Sequence, residues 1–373
     1  MQVRVLSGAD VMEKLGDAID ELHSAVRAPV MARRPWLGAW IASYRDYLPV
    51  AVTVNANGGL AAAALLAERY GRIRQFVALG HGPSDITVLP ARDNAAAETL
   101  AAAVADHLGK LRRPWRLTLR HLPAQDRVAT ALAARLPRAT IAPGAVSPAL
   151  QVGQSHTLRD YVSRNHHQQG RRLRNRMLRE GLNPVIAHLR EPGDIMTVLP
   201  EVVEICRERD KELGRRSAMD DPAAGQFFRR VIEVHAPRRS VALTTLRIDG
   251  TLASYVLCFV DGTAFRMWNS RFHPQWSRYG VGHIAHDAAV EYALASGCEV
   301  YDWGRGEEPY KFSLSNDRVR AADLYAWSGR FVEVPGRFFL SAKDLAERAE
   351  RRGGVAERAV GTGRRALDRV RAP

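Results

Sequence analysis

The sequence predicts an α/β protein made of two similar units, in which helices flank a mixed central sheet. Helix-type and strand-type apolar patterns alternate along the chain. Short turns of the kind that joins hairpin strands occur in both halves, at Asn57-Gly58 and at Asp249-Gly250 and Asp261-Gly262. Both halves also show the same order of helices, hairpin strands, a long helix and another strand. This repetition indicates a duplicated αβ unit.

The first half begins with two predicted helices, at 9–27 and 35–47. In the first of them, apolar residues recur at helical spacing at Val11, Leu15, Ile19, Leu22 and Val26. Predicted strands follow at 50–54, 60–68, 75–79, 86–89 and 115–119, and predicted helices at 94–111 and 125–136. The three prolines in 137–148 predict a linker or crossover.

The second half opens with a basic segment, 156–180, which predicts a helix carrying Arg171, Arg172, Arg174, Arg176 and Arg179 around a narrow apolar stripe. Further helices are expected at 195–213, 222–235 and 282–295, and strands at 241–248, 252–260, 264–269, 298–303 and 322–327. The predicted organisation is an N-terminal unit at 1–150, a basic helical connector at 151–190, a C-terminal unit with the donor site at 191–335, and a helical tail at 336–373.

The composition is that of a globular protein, and its charge favours anionic partners. The 373 residues are 46% hydrophobic, and the net charge is +14, nearly all of it from arginine. A positive field favours phosphates, nucleotides, tRNA or an anionic membrane face. A GC-rich genome, which favours Ala and Arg codons, would also explain the net charge. Three scattered cysteines favour a reducing compartment. No apolar run reaches the roughly 20 residues of a membrane span, and no signal peptide is recognised, so we expect a cytoplasmic protein, with peripheral contact at the inner membrane face as an option.

The segment 273–283 predicts an anion site. It contains Gly280 and Gly282 immediately before a predicted helix that starts near His283. Glycines let a ligand approach the backbone closely, and the free amides at a helix start attract a pyrophosphate. Arg278 would add a charged contact. The candidate donor-binding residues are therefore Arg278, Gly280, Gly282 and His283.

The segment 301–312 concentrates reactive side chains at the end of a predicted strand. Asp302 closes the strand, and Glu307, Glu308, Tyr310 and Lys311 follow within nine residues. Such a density of polar groups at the carboxyl end of a strand is typical of ligand sites on α/β sheets. A solvated turn with a Glu–Lys ion pair is the alternative.

A metal site is not predicted. His283, His286 and Asp287 have a spacing that can bind a metal on one helix face. We identify no second element in the sequence that supplies further ligands. The tryptophans Trp36, Trp40, Trp268 and Trp303 are expected in the core.

Several of these motifs resemble a known family. The block Gly306-Glu307-Glu308-Pro309-Tyr310-Lys311 is similar to that of GNAT-type N-acyltransferases of the BioF2-like (CelD/BcsL) class, relatives of the FemAB transferases. Looser similarity extends over about 30–330. It includes Arg34-Pro35-Trp36-Leu37 with Trp40, the pair Ser84-Asp85, and the arginine run at 164–179.

The resemblance implies tandem GNAT-like units, with the pyrophosphate of the donor on the Gly280/Gly282 loop. It also implies direct attack of an amine on the acyl donor. In that reaction Glu307 or Glu308 would be the base, Tyr310 the acid, and Lys311 would bind phosphate or stabilise the oxyanion. The family's phosphate loop begins with Gln or Arg, whereas Ser277 stands at that position here and Arg278 follows it.

Two acyl donors are therefore compatible with the sequence. We favour acyl-CoA (acetyl-CoA), and the alternative is aminoacyl-tRNA, as in FemAB-type transferases. The acceptor would be a small-molecule or sugar-linked amine, such as a cell-envelope or exopolysaccharide precursor. A non-catalytic module that binds polyanions through 159–179 is the alternative from another class, but it leaves the 282–311 segment unexplained. The sequence does not determine the oligomeric state.

Overall fold

A computed structural model describes residues 1–136, 138–334 and 336 of the chain. Its strands form one 12-stranded sheet in the order β1-β2-β3-β4-β5-β12-β6-β11-β10-β9-β8-β7. The strands of the first half are β1 (Gln2–Ser7), β2 (Leu48–Ala56), β3 (Gly59–Arg69), β4 (Arg74–Ala78), β5 (Trp115–Pro123) and β6 (Ala139–Gln151). Those of the second half are β7 (Pro184–Leu189), β8 (Val241–Ile248), β9 (Thr251–Asp261), β10 (Ala264–Phe272), β11 (Val300–Asp302) and β12 (Asp317–Trp327).

Helices lie against this sheet in both halves. The first half contributes α1 (Val11–Ala25), α2 (Arg34–Ser43), α3 (Asn94–Gly109) and α4 (Arg127–Arg135). The second half contributes α5 (Arg164–Arg179), α6 (Pro192–Glu212), α7 (Pro222–His235), α8 (Val281–Ala295) and the single turn α9 (Pro309–Phe312). The predicted α/β fold with a mixed sheet flanked by helices is confirmed. Among the described residues, no helix has the length and apolar character needed to cross a membrane.

The sheet has the same topology from either edge. Strands β1 to β4 pair antiparallel in sequence order, as do β7 to β10, and the next pair in each half, β4 with β5 and β10 with β11, is parallel. The last strand of each half then crosses over. Strand β12 pairs with β5, and β6 pairs with β11, so each half receives its closing strand from the other.

The strands differ from the prediction in several places. The segment 137–148, expected as a linker or crossover, is not an irregular linker but is largely β6, which is paired with β12 in the middle of the sheet. On the other edge of β6, the amides of Gly306 and Trp303 donate to the carbonyls of Val146 and Pro148, and a proline can accept such bonds although it has no N–H. The expected strand at 86–89 is extended but is not part of the sheet, and β1 and β7 were not predicted. The boundaries of the two units remain a prediction, and the tail after Gly336 lies outside the described residues.

The largest apolar core joins the two halves. Trp36 on α2 is fully buried, and its ring centroid lies 5.3 Å from that of Phe227 on α7, 5.0 Å from Phe259 on β9 and 5.4 Å from Trp268 on β10. The four rings meet edge to face, which adds to the stabilisation from burial. Trp40 and Trp303 are also buried, as predicted. This shared core holds the second half, and with it the candidate site, against the first.

Candidate active site

A cavity opens where the parallel strands β10 and β11 separate. They pair only over Ala264–Arg266 and Val300–Asp302, after which β10 continues to Phe272 while the chain leaves β11 for the 303–308 loop. Beyond Arg266 this edge of β10 is therefore not paired with β11. A bulge at Trp268, where the pairing of β10 with β9 shifts register, accompanies the separation. The cavity at this point has a volume of about 350 Å³.

The start of α8 forms one wall of the cavity. The chain leaves β10 through a 3₁₀ helix, Pro274–Tyr279, and enters α8 at Gly280, which adopts a left-handed conformation with φ of 61°. The first intrahelical bond is the amide of Ile284 donating to the Gly280 carbonyl. The amides of the preceding turn have no acceptor within the helix, as at any helix start, and they favour an anion. The cavity is lined here by Gly282, His283 and His286.

The two glycines of this loop are both in close contact with protein side chains. A Cβ on Gly280 would lie 2.6 Å from Cδ1 of Leu173, on α5. A Cβ on Gly282 would lie 3.2 Å from Cδ1 of Phe272, at the end of β10. Packing and the positive φ therefore account for Gly280, and only Gly282 borders the cavity itself.

Tyr310 reaches the same cavity from the opposite side, on α9. Its ring lies 4.9 Å from that of His286 and 6.2 Å from that of Trp303. Burial, reinforced by the nearby Glu308 carboxylate, raises the pKa of the Tyr310 hydroxyl to about 12. Burial also lowers the pKa of His286 to about 4, so this histidine is neutral near pH 7. The hydroxyl of Tyr310 is therefore a proton donor at neutral pH.

Lys311 points into the protein and not into the cavity. It is 4% exposed, and its ammonium donates to the Arg305 carbonyl at 2.6 Å and pairs with the Glu308 carboxylate at 3.1 Å. Glu308 lines the cavity, whereas the exposed Glu307 does not. Arg278 is exposed and bonded to Glu180. Of the predicted site residues, the structure thus brings Gly282, His283, Glu308 and Tyr310 together, and leaves Gly280, Arg278, Glu307 and Lys311 off the cavity wall.

Contacts with the first half hold the 303–308 loop in place. The Asp302 carboxylate accepts a bond from the Gly304 amide at 2.9 Å. The Arg305 guanidinium bonds to the Asp85 carboxylate, the His121 ring and the Gly82 carbonyl. Burial raises the pKa of Asp85, an effect that Arg305 opposes, while burial and Arg305 lower that of His121 to about 3.

The Ser84-Asp85 pair therefore has a structural function. Ser84 accepts a bond from the Trp36 indole N–H at 2.8 Å, and Asp85 holds Arg305 of the loop. These contacts link the core of the first half to the loop that carries Glu308 and Tyr310. The sequence motif includes Asp85, but it does not predict the contact with Arg305, because 220 positions separate the two residues.

A histidine of the cavity wall, His166, was not among the predicted site residues. His166, at the start of α5, lines the cavity, and its Nε2 lies 2.8 Å from Oδ1 of Asp287 on α8. His283 joins them, its Nε2 3.5 Å from Oδ2 of Asp287. The sequence analysis found no second element beside His283 and Asp287, and that premise is wrong, because α5 supplies His166. His286, expected on the same face, packs against Trp303 and Tyr310 instead.

Comparison with known proteins defines the class. Residues 164–312, from α5 to α9, match the model of the acetyltransferase (GNAT) domain. This part of the chain is similar to a GNAT domain, and the protein is an acyltransferase. No curated protein matches the chain in sequence.

Solved structures with a similar fold extend over most of the chain. FemX is 9% identical, with a TM-score of 0.57 over 82% of this chain and 95% of its own. The C-terminal domain of a putative lysylphosphatidylglycerol synthetase from Agrobacterium fabrum is 10% identical, with a TM-score of 0.54 over 87% and 94%. A tandem GNAT protein from the clavulanic acid biosynthesis pathway is 18% identical, with a TM-score of 0.50 over 88% and 99%. At such identities the fold is shared, and the fold does not determine the substrate.

Proposed function

We propose that the protein transfers an acyl group from acyl-CoA to an amine on an acceptor molecule. The proposal depends on one observation above all. Strands β10 and β11 separate next to the start of α8, and the cavity between them contains Tyr310 and Glu308. On the similarity of the 306–311 block, we assign the enzyme to the BioF2-like (CelD/BcsL) class.

The geometry suits a long donor with a phosphate at one end. The free amides at the start of α8 would bind the CoA pyrophosphate. The unpaired edge of β10 would bind the amide-containing arm, as a sheet edge binds an extended peptide. The cavity of about 350 Å³ lies within the usual range of ligand pockets. The thioester would then be placed beside Tyr310.

The reaction needs no covalent enzyme intermediate. The acceptor nitrogen attacks the thioester carbonyl, the C–S bond breaks, and the amide C–N bond forms. In the proposed roles, Glu308, directly or through water, accepts the proton that the amine loses, and Tyr310 gives its proton to the departing thiolate. Glu307 remains the second candidate for the base. Lys311 acts through its bonds to Glu308 and the Arg305 carbonyl, which orient the loop.

For the acceptor we propose a small or sugar-linked amine of the kind used to build the cell envelope or exopolysaccharides. A phosphate on this acceptor would be attracted by the net charge of +14. Such a precursor would place the enzyme in the cytoplasm or at the inner membrane face. FemX and the synthetase domain share the fold, but they do not identify the acceptor.

A donor screen tests the proposal. Thermal shift with CoA, acetyl-CoA, longer acyl-CoAs, tRNA and UDP-sugars should show stabilisation by a CoA compound. Gly282→Val should abolish it, because the new side chain meets Phe272 on the cavity wall. The matched control is Gly193→Val in the first turn of α6, where a Cβ meets nothing within 4 Å. Normal CoA binding by a folded Gly282→Val variant would show that the donor binds elsewhere.

An aminoacyl-tRNA donor is the second candidate, and one observation favours it. Helix α5 begins at the cavity with His166, and five of its arginines, Arg171, Arg172, Arg174, Arg176 and Arg179, are exposed. They would contact the phosphates of an RNA whose acyl end enters the cavity. Saturable tRNA binding that resists salt, without any CoA binding, would make this candidate the better one.

A further inference from the structure

Three metal-ligating side chains converge where α5 crosses the start of α8. One ring nitrogen each of His166 and His283 and a carboxylate oxygen of Asp287 all lie within 4.8 Å of one another. His166 and Asp287 are each only 8% exposed. The Nε2 atom of His283 is buried and forms no hydrogen bond within the described part of the chain. Oδ2 of Asp287 lies 3.5 Å from this nitrogen, an ion-pair contact and not a hydrogen bond, so the ring nitrogen keeps the capacity to bind a ligand.

Gly170 on α5 leaves room for this arrangement. A Cβ at this position would lie 3.3 Å from Oδ2 of Asp287 and 3.6 Å from Nε2 of His283. An added Cβ would require the Asp287 carboxylate to shift by a few tenths of an ångström, so Gly170 allows α5 to lie directly against these two ligands of α8.

We propose that His166, His283 and Asp287 bind one divalent transition-metal ion, of which Zn²⁺ fits best. Two imidazoles and one carboxylate are a ligand set that Zn²⁺ accepts, and three protein ligands leave a fourth position open. The two imidazoles line the cavity and the carboxylate does not, so the open position faces the cavity. A water molecule or an oxygen of a bound substrate occupies it.

The ion ties α5 to α8 and places a positive charge beside the start of α8. This metal site is independent of which acyl donor the enzyme uses.

Metal titration of the full chain tests the proposal. After treatment with EDTA, the protein is titrated with ZnCl₂ by calorimetry and with CoCl₂ by visible absorption. We expect one ion per chain, a rise in Tm, and the intense visible bands of four-coordinate Co²⁺. His166→Ala, His283→Ala and Asp287→Asn should each weaken binding by at least about 100-fold, more than is typical for the loss of an outer partner of a metal ligand.

His167→Ala is the matched control, because His167 is the next residue of α5 and is exposed. It should bind Zn²⁺ like the unchanged protein. Where an alanine variant does not fold, His166→Gln or His283→Gln replaces it, since glutamine retains a hydrogen-bonding group. Binding of less than one ion by the folded wild-type chain would overturn the proposal. It would also be overturned if the ligand variants bound Zn²⁺ as tightly as wild type, or if His167→Ala lost as much Zn²⁺ affinity as they do. The cluster would then be a set of hydrogen bonds that joins two helices.

Discussion

At the residue scale, the environment of Tyr310 prepares its hydroxyl to give a proton. Burial raises its pKa to about 12, so the hydroxyl stays protonated over the working range of pH. A general acid contributes a factor of about 10² to 10⁴ to the rate. The ring packs against His286 and Trp303, and the hydroxyl is hydrogen-bonded to Ser270.

We therefore predict that Tyr310→Phe lowers kcat by about 100-fold or more while the KM for the donor barely changes. Steady-state kinetics with the best acyl-CoA measure both constants. Tyr292→Phe is the control, because Tyr292 on α8 stacks on His188 outside the cavity, and it should leave kcat unchanged. An unaltered kcat in Tyr310→Phe would remove this residue from the chemistry.

Lys311 provides a second test at this scale. Because its buried ammonium holds the Arg305 carbonyl and Glu308, Lys311→Met should lower both Tm and kcat. The loss of a bond to a charged group corresponds to roughly 1.5–3 kcal/mol of unfolding free energy. Chemical denaturation and kinetics on the same samples measure the two effects. A fall in kcat with no change in stability would instead support direct contact of Lys311 with the reacting groups.

His23 connects a single side chain to the stability of the whole fold. It is 1% exposed, neither ring nitrogen has a partner within the described residues, and burial lowers its pKa to about 4. The unfolded chain binds this proton near the ordinary pKa of 6.5. Between those two pH values the unfolded state binds more protons, so folding stability is full above pH 6.5 and declines as the pH falls towards 4.

We predict that His23→Leu makes the protein less sensitive to acid. Its free energy of unfolding should decline more slowly from pH 6.5 to 4 than that of wild type. The two slopes should differ by up to about 1.4 kcal/mol per pH unit, the contribution of one titrating group. Urea denaturation at several pH values measures this slope. The exposed His167→Leu should keep the wild-type slope, and an equal slope in His23→Leu would show that His23 is not the group that titrates.

At the scale of elements, helix α5 determines the shape of the Gly280/Gly282 loop at the start of α8. Leu173 of α5 fills the space beside Gly280, and Arg176 donates to the carbonyl of Arg278 at 3.2 Å. Glu180, the residue after α5, accepts a bond from the Tyr279 hydroxyl at 2.6 Å. The basic segment predicted from the sequence as a connector is therefore also part of the wall around the start of α8.

This packing predicts a measurable coupling between the two helices. Gly280→Ala should destabilise the fold, through the positive φ, by about 1–2 kcal/mol, and further through the contact with Leu173. Leu173→Ala removes the contact but not the backbone strain. In a double-mutant cycle followed by denaturation, Gly280→Ala should cost less in the Leu173→Ala background. Strict additivity of the two changes would contradict this account of the loop.

The arginines of α5 distinguish the two donor candidates. Replacement of Arg171, Arg172, Arg174 and Arg176 by Gln should leave CoA binding within a few-fold, because the proposed pyrophosphate site lies at the start of α8. Binding to tRNA should be weak and should fall by orders of magnitude between about 50 and 200 mM salt, as expected for 6–10 phosphate contacts. Fluorescence titrations of both ligands at the two salt concentrations measure this difference.

At the scale of the whole molecule, the crossing of β6 and β12 makes each half depend on the other. Strand β12 lies between β5 and β6, and β6 lies between β12 and β11. The largest core also contains side chains from both halves, with Trp36 against Phe227 and Phe259. Separation of the halves would expose the paired edges and this core together.

We expect the full chain to unfold in one transition and the halves not to fold alone. A fragment of residues 1–151 should be insoluble or lack a cooperative thermal transition, and co-expression with the rest of the chain should restore it. Calorimetry and size-exclusion chromatography test both statements. A monomeric, cooperatively folding fragment would show that the crossed strands are dispensable.

Much of the fold follows from patterns that act over short distances. The helical spacing of Val11 to Leu22 and the Asp-Gly turns of the second half predict elements that the structure contains, because a helix or hairpin depends on residues a few positions apart. The short apolar and polar stretches of β1 and β7 were missed, since an edge strand carries a weak pattern. Strand β6 was not predicted because of its prolines, although its carbonyls accept hydrogen bonds.

The sequence by itself determined the class of fold, and it predicted the loop before α8 and the stretch from Gly282 to Lys311 as the candidate site, because these features lie within a few dozen residues. Only the tertiary structure decided that β6 and β12 cross, that Asp85 holds Arg305, that Lys311 is buried, and that His166 faces His283 and Asp287. These contacts join residues more than a hundred positions apart or depend on the direction of a side chain. Such contacts form because the whole core packs at once, and no local spacing encodes them.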